Sequence, residues 1–234
     1  VAMNKKGYES FETVLNHGLR AIPVNQLELM VEETKALLLD TRNNAEFAQG
    51  FIPQSINIGI DGDFAPWVGA LIADVKQPII LVTPKGREEE TVTRLSRVGF
   101  DNLIGHLEGG FEAWKKAGHE MDTVNRISAE EFEKQVTIGE SKIIDIRKES
   151  EYEAEHIEDA YSKPLAYINE WVKDINPEEH FFLHCAGGYR SMIAASILEA
   201  RGFRNFSEVE GGFNAIAKTT VPKTNFVCQS KVLK

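Results

Sequence analysis

Residues 180–197 read HFFLHCAGGYRSMIAASI. FFLH is apolar, shows no alternation and is too short for a helix. The run stops at Cys185, two glycines and an arginine follow, and a helical pattern begins with SMIAASILEARG. A short strand buried on both faces, a glycine turn and a helix make one step of a parallel α/β sheet.

The chain takes this step twice. PIILV (78–82) leads through TPKGR into EETVTRLSRVG, as FFLH leads through CAGGYR into its own helix. LLDTRNNAEF (38–47) aligns with IIDIRKESEY (143–152), so that Asp40, Arg42, Glu46 and Phe47 fall on Asp145, Arg147, Glu151 and Tyr152. VGFDNLIGHLEGGF (98–111) mirrors RGFRNFSEVEGGF (201–213). Two long copies mean duplicated domains of about 100 residues each rather than a solenoid. Each copy opens with a capping-box spacing, Asn25 with Glu28 and Ser128 with Glu131, which predicts a helix start. Strands are expected at ALLLD (36–40) and KIIDI (142–146), and the later helices end before Gly99 and Gly202. The expected architecture is two tandem α/β domains, each a central, mostly parallel sheet flanked by helices. They occupy residues 21–120 and 124–222, joined near GHEMDTVNR, with an extension over 1–20 and a tail over 223–234.

Composition limits the partners. The 234 residues carry 26 Lys+Arg against 36 Asp+Glu, a net charge of −10, and no basic run, which argues against nucleic acid or an anionic membrane surface. No apolar stretch approaches membrane-spanning length, and VAMNKKGYES has no signal-peptide core. Only Cys185 and Cys228 are cysteines, so there is no disulfide framework and a cytoplasmic location is expected. The six histidines show neither H-x-H nor H-E-x-x-H spacing, so neither a metal nor another cofactor is expected. The start at Val1 suggests a piece of a longer protein.

The chemistry gathers after the second strand, where open α/β sheets bind ligands beyond the carboxyl ends of their strands. Gly187 and Gly188 allow successive N–H groups to turn inward as an anion nest. The following helix adds its positive end, and Arg190 adds a permanent cation. Such surroundings favour thiolate, the nucleophilic form of cysteine. Cys185 is therefore the candidate nucleophile. Ala186, Gly187, Gly188, Tyr189 and Ser191 form the anion-binding loop with Arg190. Taken alone, a cysteine ending a strand is a small buried hydrophobe; the glycines and the arginine shift the balance. Asp145, Arg147 and Glu151 are assigned a structural role, because Asp40, Arg42 and Glu46 repeat them in the copy without a cysteine. His184 points away from its neighbour along the strand and is expected to pack rather than act as a base. Tyr189 either screens the pocket entrance or faces solvent. Trp67, Trp114 and Trp171 are expected to pack, and Cys228 to be an incidental thiol rather than a resolving one.

These motifs resemble those of the rhodanese family of sulfurtransferases. Each copy carries D-x-R-x-x-x-E-[FY] and a late E-G-G-F, and C-A-G-G-Y-R is similar to the family's active loop. The resemblance implies that Cys185 carries sulfane sulfur as a persulfide, taken from a small-molecule donor and passed to a thiol acceptor. It implies that Arg190 binds the anionic donor and that the amides from Ala186 to Arg190 cradle the terminal sulfur. Related cysteine phosphatases and arsenate reductases have one more residue between cysteine and arginine, so sulfur transfer is favoured over oxyanion chemistry. The first copy has Thr83 in place of the cysteine, a shorter loop, Pro84 without an N–H, and Glu88 to Glu90 opening the helix. It is expected to be inactive, with a structural, docking or regulatory role; a purely binding or regulatory role for the whole chain is the alternative. VAMNKKGY, GREEE and HCAGGYRS together resemble the C-terminal part of proteins that fuse a metallo-β-lactamase-type domain to two rhodanese domains. This implies an N-terminal partner domain related to persulfide dioxygenases.

Overall fold

The four strands that the apolar runs predict lie within two five-stranded sheets. The computed structural model describes residues 10–227; VAMNKKGY and Cys228 lie outside the described residues. One compact unit takes the chain up to Asn43 together with Phe51–Met121, and the other takes Asn44–Gly50 together with the chain from Asp122. In chain order the first elements are α1 (Phe11–Gly18), β1 (Ala21–Ile22), α2 (Val24–Thr34), β2 (Leu37–Asp40), α3 (Asn44–Gln49) and β3 (Ile56–Asn57). There follow α4 (Phe64–Leu71), β4 (Ile79–Val82), α5 (Glu88–Ser96), β5 (Leu103–Leu107) and α6 (Gly110–Lys116). The repeat runs through β6 (Arg126–Ile127), α7 (Ala129–Gln135), β7 (Lys142–Asp145), α8 (Glu149–Ala154), β8 (Tyr161–Ser162) and α9 (Ile168–Trp171). It closes with β9 (Phe181–His184), α10 (Tyr189–Ala200), β10 (Phe206–Val209) and α11 (Gly212–Ile216).

Strand order is β1-β5-β4-β2-β3 in one sheet and β6-β10-β9-β7-β8 in the other. All the pairings within them are parallel. Every residue of β4, β9 and β10 is buried, as a strand covered on both faces requires. α10 is buried continuously from Ser191 to Glu199, which fits its all-round small and apolar sequence. Trp114 and Trp171 are core residues, while Trp67 is half-buried. Past α11 the chain runs along residues 154–158: Glu158 N–H donates to the Pro222 carbonyl, and Thr224 N–H to that of His156.

The Ser128–Glu131 capping box is present in both directions. The Asn25–Glu28 box is not. Pro23 occupies the cap position, with φ −59° and ψ 145°, directly after β1, so α2 starts at Val24 and Asn25 is already helical. Gly99 and Gly202 both take positive φ just beyond their helices.

At the carboxyl ends of β2 and β7 an aspartate turns back on the arginine two residues later. Asp145 accepts from the Arg147 backbone N–H at 3.0 Å and from its Nη2 at 2.6 Å, and Asp40 binds Arg42 in the same way. The Arg147 guanidinium lies 4.1 Å from the Phe213 ring centre, and that of Arg42 lies 3.9 Å from the Phe111 ring. The D-x-R stretch thus joins a central strand to E-G-G-F in each unit. Asp145→Ala leaves the nearly buried Arg147 charge uncompensated and is expected to cost about 3 kcal/mol in chemical denaturation. Asp145→Ala/Arg147→Met should recover most of that loss; equal losses in the two variants would refute this account.

Candidate active site

β9 delivers the chain to the carboxyl edge of the second sheet, and Cys185 is the next residue. It is 1% exposed. Gly188 caps α10 with φ 98°, and its N–H donates to Cys185 Sγ at 3.1 Å. The positive end of a twelve-residue helix therefore begins at the sulfur. A Cβ at position 188 would stand 3.2 Å from Arg126 Nη2, so glycine serves both the turn and the close approach. Gly187 was expected to share this freedom, but among the described residues it is not one of the positive-φ glycines. Gly188 alone makes the left-handed step of this loop.

The E-G-G-F stretch holds the loop from outside. Phe213 N–H donates to the Cys185 carbonyl at 2.7 Å, and Asn214 N–H to that of Ala186 at 2.9 Å. Gly212 has φ 54°, and a Cβ there would lie 2.3 Å from the Cys185 carbonyl oxygen. With their carbonyls bound outward, the loop residues turn the opposite face of the peptide chain inward.

The charged residues divide differently from the expected trio. Asp145 and Arg147 pair with each other, whereas Glu151 reaches across to Arg190 and binds it twice, at 2.6 and 2.8 Å. These bonds from Arg190 hold the Glu151 carboxyl below the usual carboxylate range. Arg190 is raised in turn, chiefly by Glu151, with a smaller contribution from nearby Cys185. Tyr189 is half-buried. His184 is fully buried; its Nδ1 lies 3.3 Å from the Cys185 carbonyl and its ring packs on Phe213. Burial pushes its pKa down, so the ring stays neutral at neutral pH.

Glu208 and Arg126, linked to the thiol through Ser191, escaped the sequence reading. The Ser191 hydroxyl lies 3.4 Å from Cys185 Sγ and donates to Glu208 Oε1 at 2.5 Å. Glu208 Oε2 accepts from Arg126 Nε at 2.8 Å. The available signal was a glutamate inside the short apolar strand FSEV, a position that buries a charge.

The first unit keeps the frame without this chemistry. Gly110 has φ 61°, and its Cβ would be 3.0 Å from the Thr83 carbonyl, repeating the Gly212 contact. Arg87 bonds to Asp61 at 2.5 Å and to Glu90 at 2.9 Å, on the exposed side of its helix. Among the described residues no group of three or more His, Cys, Asp or Glu could hold a metal ion. No helix among them is long and apolar enough to cross a membrane.

Gly212→Ala forces a methyl group against the Cys185 carbonyl at a positive φ. It is expected to lower stability by about 2 kcal/mol in thermal or chemical denaturation. Gly187→Ala meets only Asn214 Nδ2, at 3.7 Å, and should cost a small fraction of that. Equal losses at the two positions would contradict the clamp.

The Rhodanese-like domain family matches the chain over residues 23–117 and again over 128–219. The thiosulfate sulfurtransferase GlpE of Shewanella oneidensis is 31% identical over 97 residues, covering 41% of this chain and 92% of that protein. The chloroplastic rhodanese-like/PpiC domain-containing protein 12 of Arabidopsis thaliana is 31% identical over 111 residues, 44% of this chain and 37% of that protein. The crystal structure of a thiosulfate sulfurtransferase from Pseudomonas aeruginosa aligns with 89% of this chain and 44% of its own, at 20% identity and a TM-score of 0.39.

Proposed function

Since the chain belongs to the rhodanese-like domain family through both of its units, we propose that it is a sulfurtransferase working through Cys185. The observation that carries this reading is the Gly188 N–H aimed at Cys185 Sγ at the start of α10, beside Arg190.

The reaction is a pair of displacements at sulfur. The Cys185 thiolate attacks the outer sulfur of an anionic donor such as thiosulfate. A Cys–S bond forms, the donor's S–S bond breaks, and sulfite leaves with the electron pair. The terminal persulfide sulfur then lies against the loop amides and the helix end, which stabilise its charge. An acceptor thiolate, or cyanide in the test tube, attacks that sulfur, and the Cys185 thiolate departs. A low-molecular-weight persulfide serves equally, with its thiolate as the leaving group. It is the donor of first choice if a metallo-β-lactamase-fold partner domain of the persulfide dioxygenase type adjoins this chain, as the sequence resemblance implies. Reducing conditions, as in the cytoplasm, suit a chemistry that needs a free thiol.

The first unit is assigned a non-catalytic role. A threonine hydroxyl at position 83 cannot carry a persulfide, Pro84 removes an N–H from the loop, and Arg87 is drawn to Asp61 and Glu90.

Incubation with thiosulfate or glutathione persulfide should add one sulfur to the intact protein by mass spectrometry. Cys185→Ser should abolish that adduct; an adduct retained in this variant, or none in the wild type, would overturn the assignment. Arg190→Lys keeps the charge but loses the bidentate fork, and kcat/KM for thiosulfate should fall about tenfold or more.

A further inference from the structure

The hydrogen bonds that leave Cys185 run in one direction. Its thiol donates to Ser191 Oγ at 3.4 Å, and the Ser191 hydroxyl donates to Glu208 Oε1 at 2.5 Å. Ser191 and Glu208 are both fully buried. Glu208 Oε2 is bound by Arg126 Nε at 2.8 Å, and Arg126 Nη1 lies 3.4 Å from Glu210. A carboxylate in the middle of a buried strand is costly unless its bonds serve a purpose.

The first unit provides an internal control. Ala21 pairs with His106 across β1 and β5, in the place where Arg126 pairs with Glu208 across β6 and β10. Glu88 follows Arg87 as Ser191 follows Arg190. The serine, the glutamate and its arginine are all absent where the cysteine is absent. The Asp–Arg pair and the close approach of the second E-G-G-F glycine to the loop carbonyl, by contrast, are present in both units.

We propose that Cys185 and Glu208 share one proton through Ser191, so that Glu208 receives the thiol proton when Cys185 becomes nucleophilic. The S–H bond breaks as its proton passes to Ser191 Oγ, while the Ser191 hydroxyl proton passes to Glu208 Oε1. The products are a thiolate, a hydroxyl now donating to Sγ, and a neutral carboxylic acid; the total charge is unchanged. An ionised Glu208 instead claims the Ser191 proton and keeps Cys185 as a thiol. Burial pushes the proton affinity of Glu208 up, while Arg126 and Ser191 oppose this. The other charges around the thiol are paired off: Arg190 with Glu151, and Asp145 with Arg147, beside a neutral His184. Glu208 and Ser191 are thus positioning residues that set when the nucleophile is ready.

The inference rests on the sulfur-transfer reading for its purpose but not for its test. Alkylation of Cys185 by iodoacetamide is followed against pH with no sulfur donor present, in a Cys228→Ser background that leaves one thiol. The coupled pair predicts a two-step profile in that protein and a single step in Glu208→Gln, with the midpoint lowered by about one pH unit. Ser191→Ala should abolish that shift, so that Ser191→Ala and Ser191→Ala/Glu208→Gln superimpose, while Ser191→Thr restores the two-step curve. An unchanged midpoint in Glu208→Gln refutes the shared proton. A shift that persists undiminished in the Ser191→Ala background refutes it too, since the effect then acts through space. If Glu208→Gln does not fold, the contrast between Ser191→Ala and Ser191→Thr decides, and identical profiles overturn the proposal. A protein that takes up no sulfur from a donor but shows the two-step curve would fail the sulfurtransferase reading alone.

Discussion

The geometry of the Cys185 loop depends on how the peptide between Cys185 and Ala186 is held. The Phe213 and Asn214 amides bind the Cys185 and Ala186 carbonyls, and Gly212 makes this approach sterically accessible. A loop with its carbonyls fixed outward presents the Gly188 N–H and the helix terminus to the sulfur in a preorganised arrangement. The Arg147 guanidinium, anchored by Asp145 at the end of β7, lies against the Phe213 ring and so braces the clamp from behind. The family stretches D-x-R and E-G-G-F are therefore one device, although they stand far apart in sequence.

The duplicated unit separates the frame from the chemistry. Asp40–Arg42, the Phe111 ring and Gly110 reproduce the brace and the close glycine approach around Thr83. The thiol and the side chains linked to it one after another are replaced: Thr83 for Cys185, Glu88 for Ser191, His106 for Glu208 and Ala21 for Arg126. Arg87 remains an arginine, yet its partners are Asp61 and Glu90 rather than a residue equivalent to Glu151. A fold of this kind is stabilised by its brace and is indifferent to the contents of its loop.

Much of this was legible in the sequence because strand and helix signals act locally. FFLH, IILV and the Ser128 box appear where apolar runs and capping chemistry place them. Asn25 was misread because Pro23 starts the helix directly after a strand, a local constraint that the capping pattern does not encode. Glycine composition overstated the loop's freedom, since Gly188 takes a positive φ and Gly187 does not. The long-range pairs were hidden for a different reason. Glu151 meets Arg190, and Glu208 meets Ser191 and Arg126, only through strand order β6-β10-β9-β7, which no sequence spacing reveals.

Those hidden pairs bear on which anion suits the loop. Both guanidinium groups beside it already have carboxylate partners, Arg190 with Glu151 and Arg126 with Glu208. Here the donor that faces the sulfur is the Gly188 N–H at the end of α10, which suits a small, singly charged, weakly hydrated sulfur. The short gap from Cys185 to Arg190 acts in the same direction by limiting the size of the nest. Charge balance and loop size thus independently favour persulfide over phosphate chemistry. They also explain why a buried carboxylate such as Glu208 is tolerable near the nucleophile. It neutralises Arg126 at rest and, once protonated, places no second negative charge at the end of the Ser191 hydrogen bond to the sulfur.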